Sequence, residues 1–137
     1  MSVLTHLKMS ARLENLGRFI QSVSDCAKAQ GFGREETSKI ELAAEEALVN
    51  IFRYAYPERP GDVETTCKAD QGRFTLEIID SGIPFDPTAM PDPDVTAGIQ
   101  EREAGGLGIF LLKKVMDEVR YRRENDQNIV TLIIQKR

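Results

Sequence analysis

The sequence predicts an α/β two-layer sandwich, a mixed and mostly antiparallel sheet with its helices on one face. Apolar residues recur at helical spacing between Leu13 and Ile51. Beyond residue 61 the pattern turns to runs rich in β-branched residues, read as strands. Successive strands are joined by connections as short as Gln71-Gly72, and such short turns favour antiparallel pairing. A chain of 137 residues fits one domain, 1–137, large enough to bury a core.

Residues 2–9 alternate loosely and predict a short first strand. Leu16, Phe19, Ile20, Val23 and Ala27 mark one face of a helix that starts near Leu13 and ends near Gly31. The segment "GFGREETSK" supplies a turn and then the acidic residues that suit a helix N-terminus. A second helix follows over about 35–54. Its core stripe is Ile40, Ala43, Ala44, Ala47, Leu48 and Ile51, and Pro57 and Pro60 lie past its end. "VETTCKAD" and "RFTLEIID" read as a hairpin turning at Gln71-Gly72. Residues 86–104, with three prolines and few large apolar groups, are long for a plain connection and predict a functional loop. A third helix is expected over about 107–117, then the strands "EVRYRRE" and "NIVTLIIQK".

Composition narrows the function classes. A net charge of −4 disfavours direct nucleic-acid binding, which needs clustered Lys and Arg. Lys113-Lys114 and Arg120, Arg122 and Arg123 are the local basic spots, and they read as solvated faces. No apolar run nears the roughly 20 residues of a membrane helix, and the first residues lack a signal-peptide core, so no membrane role and a cytoplasmic location are expected. Cys26, Cys67 and the single His6 cannot compose a four-ligand zinc site. A disulfide is unneeded in a reducing compartment, so both cysteines are expected as small buried residues.

Three clusters could carry chemistry. Glu46 and Asn50 lie one turn apart on the second helix, in a polar stripe with Lys39 and Arg53 that apolar residues flank. Such a stripe suits a cavity lining as well as a solvated face. An amide oxygen can ligate Mg²⁺, and a carboxylate one turn away can act as a general base. Asp80 and Gly82 follow a core strand: the carboxylate can accept from an exocyclic amine such as that of adenine, and the glycine leaves room for a flat ring. Asp and Gly also make plain turns. Gly105, Gly106 and Gly108 precede an apolar helix, where free N–H groups form an anion site suited to phosphates, or a simple hinge. A dinucleotide fingerprint would want glycine where Leu111 stands, and no Gly-Lys-Ser/Thr occurs.

In this order, Glu-x-x-x-Asn helix, Asp-x-Gly after a strand, long loop, Gly-x-Gly opening a helix, the chain resembles the GHKL ATPase superfamily and its Bergerat-type ATP-binding fold. Within it, the chain is most similar to the bacterial anti-sigma factor serine/threonine protein kinases. "EEALVNIFRYAYP", "EIIDSGIPFDP" and "GGLGIFLLKKVMDEV" carry the resemblance, over about residues 36–137.

The resemblance implies ATP and Mg²⁺ as cofactors and a role for each motif residue. Asn50 would hold the metal against the phosphates, and Glu46 would be the base that activates a serine hydroxyl. Asp80 would bind the adenine amino group, with Gly82 shaping that pocket. Gly105, Gly106 and Gly108 would admit the phosphates, with residues 86–104 as a lid and Arg102 its basic contact. It also implies two partners, a sigma factor that is sequestered and a STAS-type anti-anti-sigma protein that is phosphorylated, and often a homodimer. Tyr54 departs from the histidine many relatives carry there. A nucleotide-gated binding switch without phosphoryl transfer is the alternative. A two-component histidine kinase fits poorly, because the only histidine, His6, precedes the first helix.

Overall fold

The computed structural model describes residues 2–89 and 112–136. β1 (Ser2–Ser10) leads through a short 3₁₀ turn, Leu13–Asn15, to α1 (Leu16–Ala29) and α2 (Arg34–Tyr54). The hairpin β2 (Asp62–Asp70) and β3 (Arg73–Asp80) follows, and after a 3₁₀ turn at Pro87–Ala89 and helical residues 112–115 the hairpin β4 (Glu118–Glu124) and β5 (Gln127–Gln135) closes the chain. The five strands form one sheet in the order β1-β2-β3-β5-β4, and all four pairings are antiparallel.

Local chemistry explains the boundaries. The helix expected from Leu13 begins as a 3₁₀ turn, because the Asn15 amide turns back to donate to the Ser10 carbonyl at 3.0 Å and the Ser10 hydroxyl at 2.9 Å. α1 ends in a Schellman motif: Gly31 takes φ 87°, its N–H donates to Lys28, and the Phe32 N–H reaches back to Ala27. Both hairpins turn on two residues of positive φ, Gln71-Gly72 and Asn125-Asp126, the geometry of tight turns that match strand twist.

The side chains sort onto two faces. Val63, Cys67, Phe74, Leu76, Ile78, Val130, Leu132 and Ile134 join one core with Phe19, Val23, Ile40, Leu48 and Ile51 of the helices. The alternate positions carry ion pairs such as Lys68–Glu77 and Arg73–Glu118. The expected stripe of α2 is the buried one, with Ala43, Ala44, Ala47, Leu48 and Ile51 at zero exposure. Cys26 and Cys67 are both buried and unlinked. No helix among the described residues is long and apolar enough to cross a membrane.

Candidate functional site

The C-terminal half of α2 and the end of β3 meet at one edge of the core, where the loop after Asp80 closes onto the last turn of the helix. The Ile83 N–H donates to the Ala55 carbonyl at 2.9 Å. Gly82 makes this closure possible, because a Cβ there would overlap the same carbonyl. The glycine expected to leave room for a ring therefore has a nearer steric reason, the approach of the loop to the helix. Tyr56 ties the loop from the other side: its hydroxyl donates to the Asp62 carbonyl at 2.7 Å and accepts the Ser81 N–H at 2.8 Å.

Within this junction Asp80 is 1% exposed. One carboxylate oxygen, Oδ1, accepts from the Gly82 N–H at 2.9 Å and from the Asn128 amide at 2.8 Å. The other, Oδ2, is buried with no partner. Burial pushes the Asp80 carboxyl above the ordinary carboxylate range, while Asn128, Gly82 and the Arg123 cation pull it back. Asn50 is fully buried, donates through its amide to the Glu46 carbonyl one turn earlier, and leaves its own Oδ1 without a partner. Glu46 itself is half-buried. Burial raises its carboxyl and Glu45 adds to the rise, with Arg53 opposing.

Of the polar stripe expected on α2, Lys39 and Arg53 are exposed, and Lys39 pairs with Glu35. Tyr54, one turn beyond Asn50, packs on Phe85 with ring centroids 5.3 Å apart. Arg102, Gly105, Gly106 and Gly108, most of the expected lid and the start of the third helix lie outside the described residues. A cleft of about 930 Å³ opens on the junction, lined by Ala55, Tyr56, Arg59, Ser81, Gly82 and Arg123 among others, so of the expected site residues Gly82 reaches it. Neither Asn50 nor Asp80 lines it.

Asn128 is a residue of this junction that sequence reading missed. It is fully buried and sits directly opposite Asp80 in the β3–β5 register. The signal was available: in "NIVTLIIQ" an amide occupies the inward register of Val130, Leu132 and Ile134, where a polar side chain needs a partner.

Asp80 Oδ2 and Asn50 Oδ1 are two of five buried side-chain atoms without a partner among the described residues, the others being on Thr65, Arg73 and Thr75, and these two suit a ligand that brings a donor to Asp80 and a hard cation to Asn50. No group of three or more His, Cys, Asp and Glu placed to hold a metal occurs among the described residues. Residues 9–134 match the family described as histidine kinase-like ATPase domain. Serine/threonine-protein kinase BtrW of Bordetella bronchiseptica is 32% identical over 92 residues, which is 66% of this chain and 65% of that protein, just under two thirds of its length. Serine-protein kinase RsbW of Bacillus cereus and of Bacillus anthracis are each 22% identical over 128 residues, covering 90% of this chain and 80% of theirs. With the match spanning nearly the whole chain, the protein belongs to the histidine kinase-like ATPase domain family.

Proposed function

We propose that this chain is an ATP- and Mg²⁺-dependent protein serine kinase of the anti-sigma type, which phosphorylates a serine on a STAS-type anti-anti-sigma partner and sequesters a sigma factor. One observation carries the reading: Asp80 Oδ2 and Asn50 Oδ1 are both buried acceptors without a donor. A buried unpaired acceptor costs roughly 1–3 kcal/mol, a cost that a ligand with matching groups removes. The serine kinase names of BtrW and RsbW favour phosphoryl transfer over a binding switch.

In this reading Asp80 Oδ2 accepts from the adenine amino group, and Asn50 Oδ1 holds Mg²⁺. Bound Mg²⁺ would neutralise charge developing on the phosphate oxygens. Glu46 takes the proton of the attacking serine hydroxyl, and its raised pKa brings it nearer a base that works at neutral pH. Gly105, Gly106 and Gly108 would admit the phosphates, Arg102 would contact them, and residues 86–104 would cover the nucleotide. The chain would work in the cytoplasm.

The test is calorimetric titration of ATP and ADP with Mg²⁺ into wild type and Asp80→Asn, followed by phosphate transfer to a serine-bearing STAS protein. Wild type is expected to bind in the micromolar range, about −8 kcal/mol. Asp80→Asn should weaken this at least about tenfold by offering a donor to a donor. Glu46→Ala should bind ATP but transfer about 100-fold more slowly or worse. Absence of binding to wild type would overturn the nucleotide reading, and undiminished transfer by Glu46→Ala would overturn the base assignment.

A further inference from the structure

Every polar atom of Asn128 is engaged. Its amide nitrogen donates to Asp80 Oδ1 and to the Ile83 carbonyl, both at 2.8 Å. Its oxygen accepts from the Tyr121 hydroxyl at 2.7 Å, from Arg123 Nη1 at 3.1 Å and from the Phe85 N–H at 3.2 Å. Three donors on the oxygen forbid the flipped amide, so the nitrogen always faces Asp80. Asn128 has nothing left with which to touch a ligand. It can act only through Asp80.

We infer that Asn128 is a positioning residue that sets base selectivity, by occupying Asp80 Oδ1 with a fixed donor so that Oδ2 alone, as an acceptor, faces the bound base. This rests on the adenine reading proposed above. An ionised carboxylate held this way accepts from an exocyclic amine and repels a carbonyl oxygen at the same place on the ring. Without the amide donor, the ionised form loses one of its two hydrogen bonds and the carboxyl can protonate. A protonated carboxyl donates to a carbonyl, so the selectivity fails.

The groups that bear on Asp80 are Arg123 and Tyr121 of β4, Tyr56 of the α2–β2 connection, and Asp86, which faces Tyr121. Arg123 also donates to the Gly82 carbonyl at 2.9 Å, so the β4–β5 hairpin holds both the carboxylate and the loop beside it.

The experiment compares Mg–ADP with Mg–inosine diphosphate, whose base carries a carbonyl in place of the amine, on the full chain by calorimetry at pH 6, 7 and 8. Wild type should prefer ADP at each pH. Asn128→Leu keeps the branched shape and continues the apolar register of β5, yet removes the donor. Its ADP preference should fall about tenfold where Asp80 is protonated and recover as the pH is raised and Asp80 ionises. Should that variant fail to fold, Tyr121→Phe with Arg123→Ala decides, since it removes two of the three donors that hold the Asn128 oxygen and leaves the Phe85 N–H alone to fix the amide. A loss of preference of about threefold is expected there. If ADP and inosine diphosphate weaken by one common factor at every pH, or the preference is unchanged, the role of Asn128 is merely structural and the inference falls. If wild type binds neither nucleotide, the adenine reading itself falls, and this inference with it.

Discussion

Asp80 carries the sharpest consequence at the scale of single residues. Its folded pKa is raised above the unfolded value, chiefly by burial. The stability it contributes is therefore present below the unfolded pKa and is lost as pH rises through the folded pKa. Once ionised, the ligand-free protein's Asp80 is a buried charge with one unpartnered oxygen. Asp80→Asn should for that reason be more stable than wild type at pH 8 without nucleotide, and the advantage should vanish as the pH falls to the unfolded carboxylate range of about 4. Melting temperatures of both proteins across that range check this, and a variant less stable at pH 8 would overturn the account of Asp80. Such a gain in stability at the expense of binding is the usual signature of a group kept for function.

Single-residue chemistry was partly legible in the sequence. Asp80 and Asn50 stood out because a carboxylate and an amide sat beside strongly apolar runs. Asn128 was overlooked: its inward register in the last strand signals a buried amide that needs a partner, and what the sequence leaves open is that this partner is Asp80, 48 residues away.

Elements meet at the Gly82–Ala55 contact. Gly82→Ala would push a methyl into the backbone carbonyl that closes α2, a rigid group that cannot turn aside. The expected cost is about 2 kcal/mol, with nucleotide affinity reduced as the Asp80 loop lifts from the helix. Urea denaturation and ADP titration of the variant check both parts, and an unchanged midpoint would show that the loop has room after all. The elements themselves were largely readable. The α2 stripe was predicted residue by residue, because a 3.6-residue period survives in sequence whatever the partner. The 3₁₀ start of α1 was not, since it depends on Asn15 reaching the Ser10 carbonyl and hydroxyl of the preceding strand.

For the whole molecule, a ligand that binds only the folded state adds stability by mass action. Mg–ATP at a hundredfold excess over its Kd should stabilise wild type by about 2.7 kcal/mol. Differential scanning calorimetry with and without Mg–ATP checks this, and Asp80→Asn should show little of the shift. An equal shift in both proteins would place the ligand elsewhere on the surface.

The sequence by itself determined the first two helices, the first hairpin and its turn, the closing pair of strands, the buried stripe, and the order of motifs that places the chain beside its kinase relatives. These are properties of local period and of residue type along the chain. Only the tertiary structure decided which carboxylate oxygen is free, why position 82 admits no side chain, and which amide holds Asp80 in place. Each of those depends on strand register and on the closing of a loop onto a helix, which bring together residues from separate elements whose separation along the chain carries no local signal.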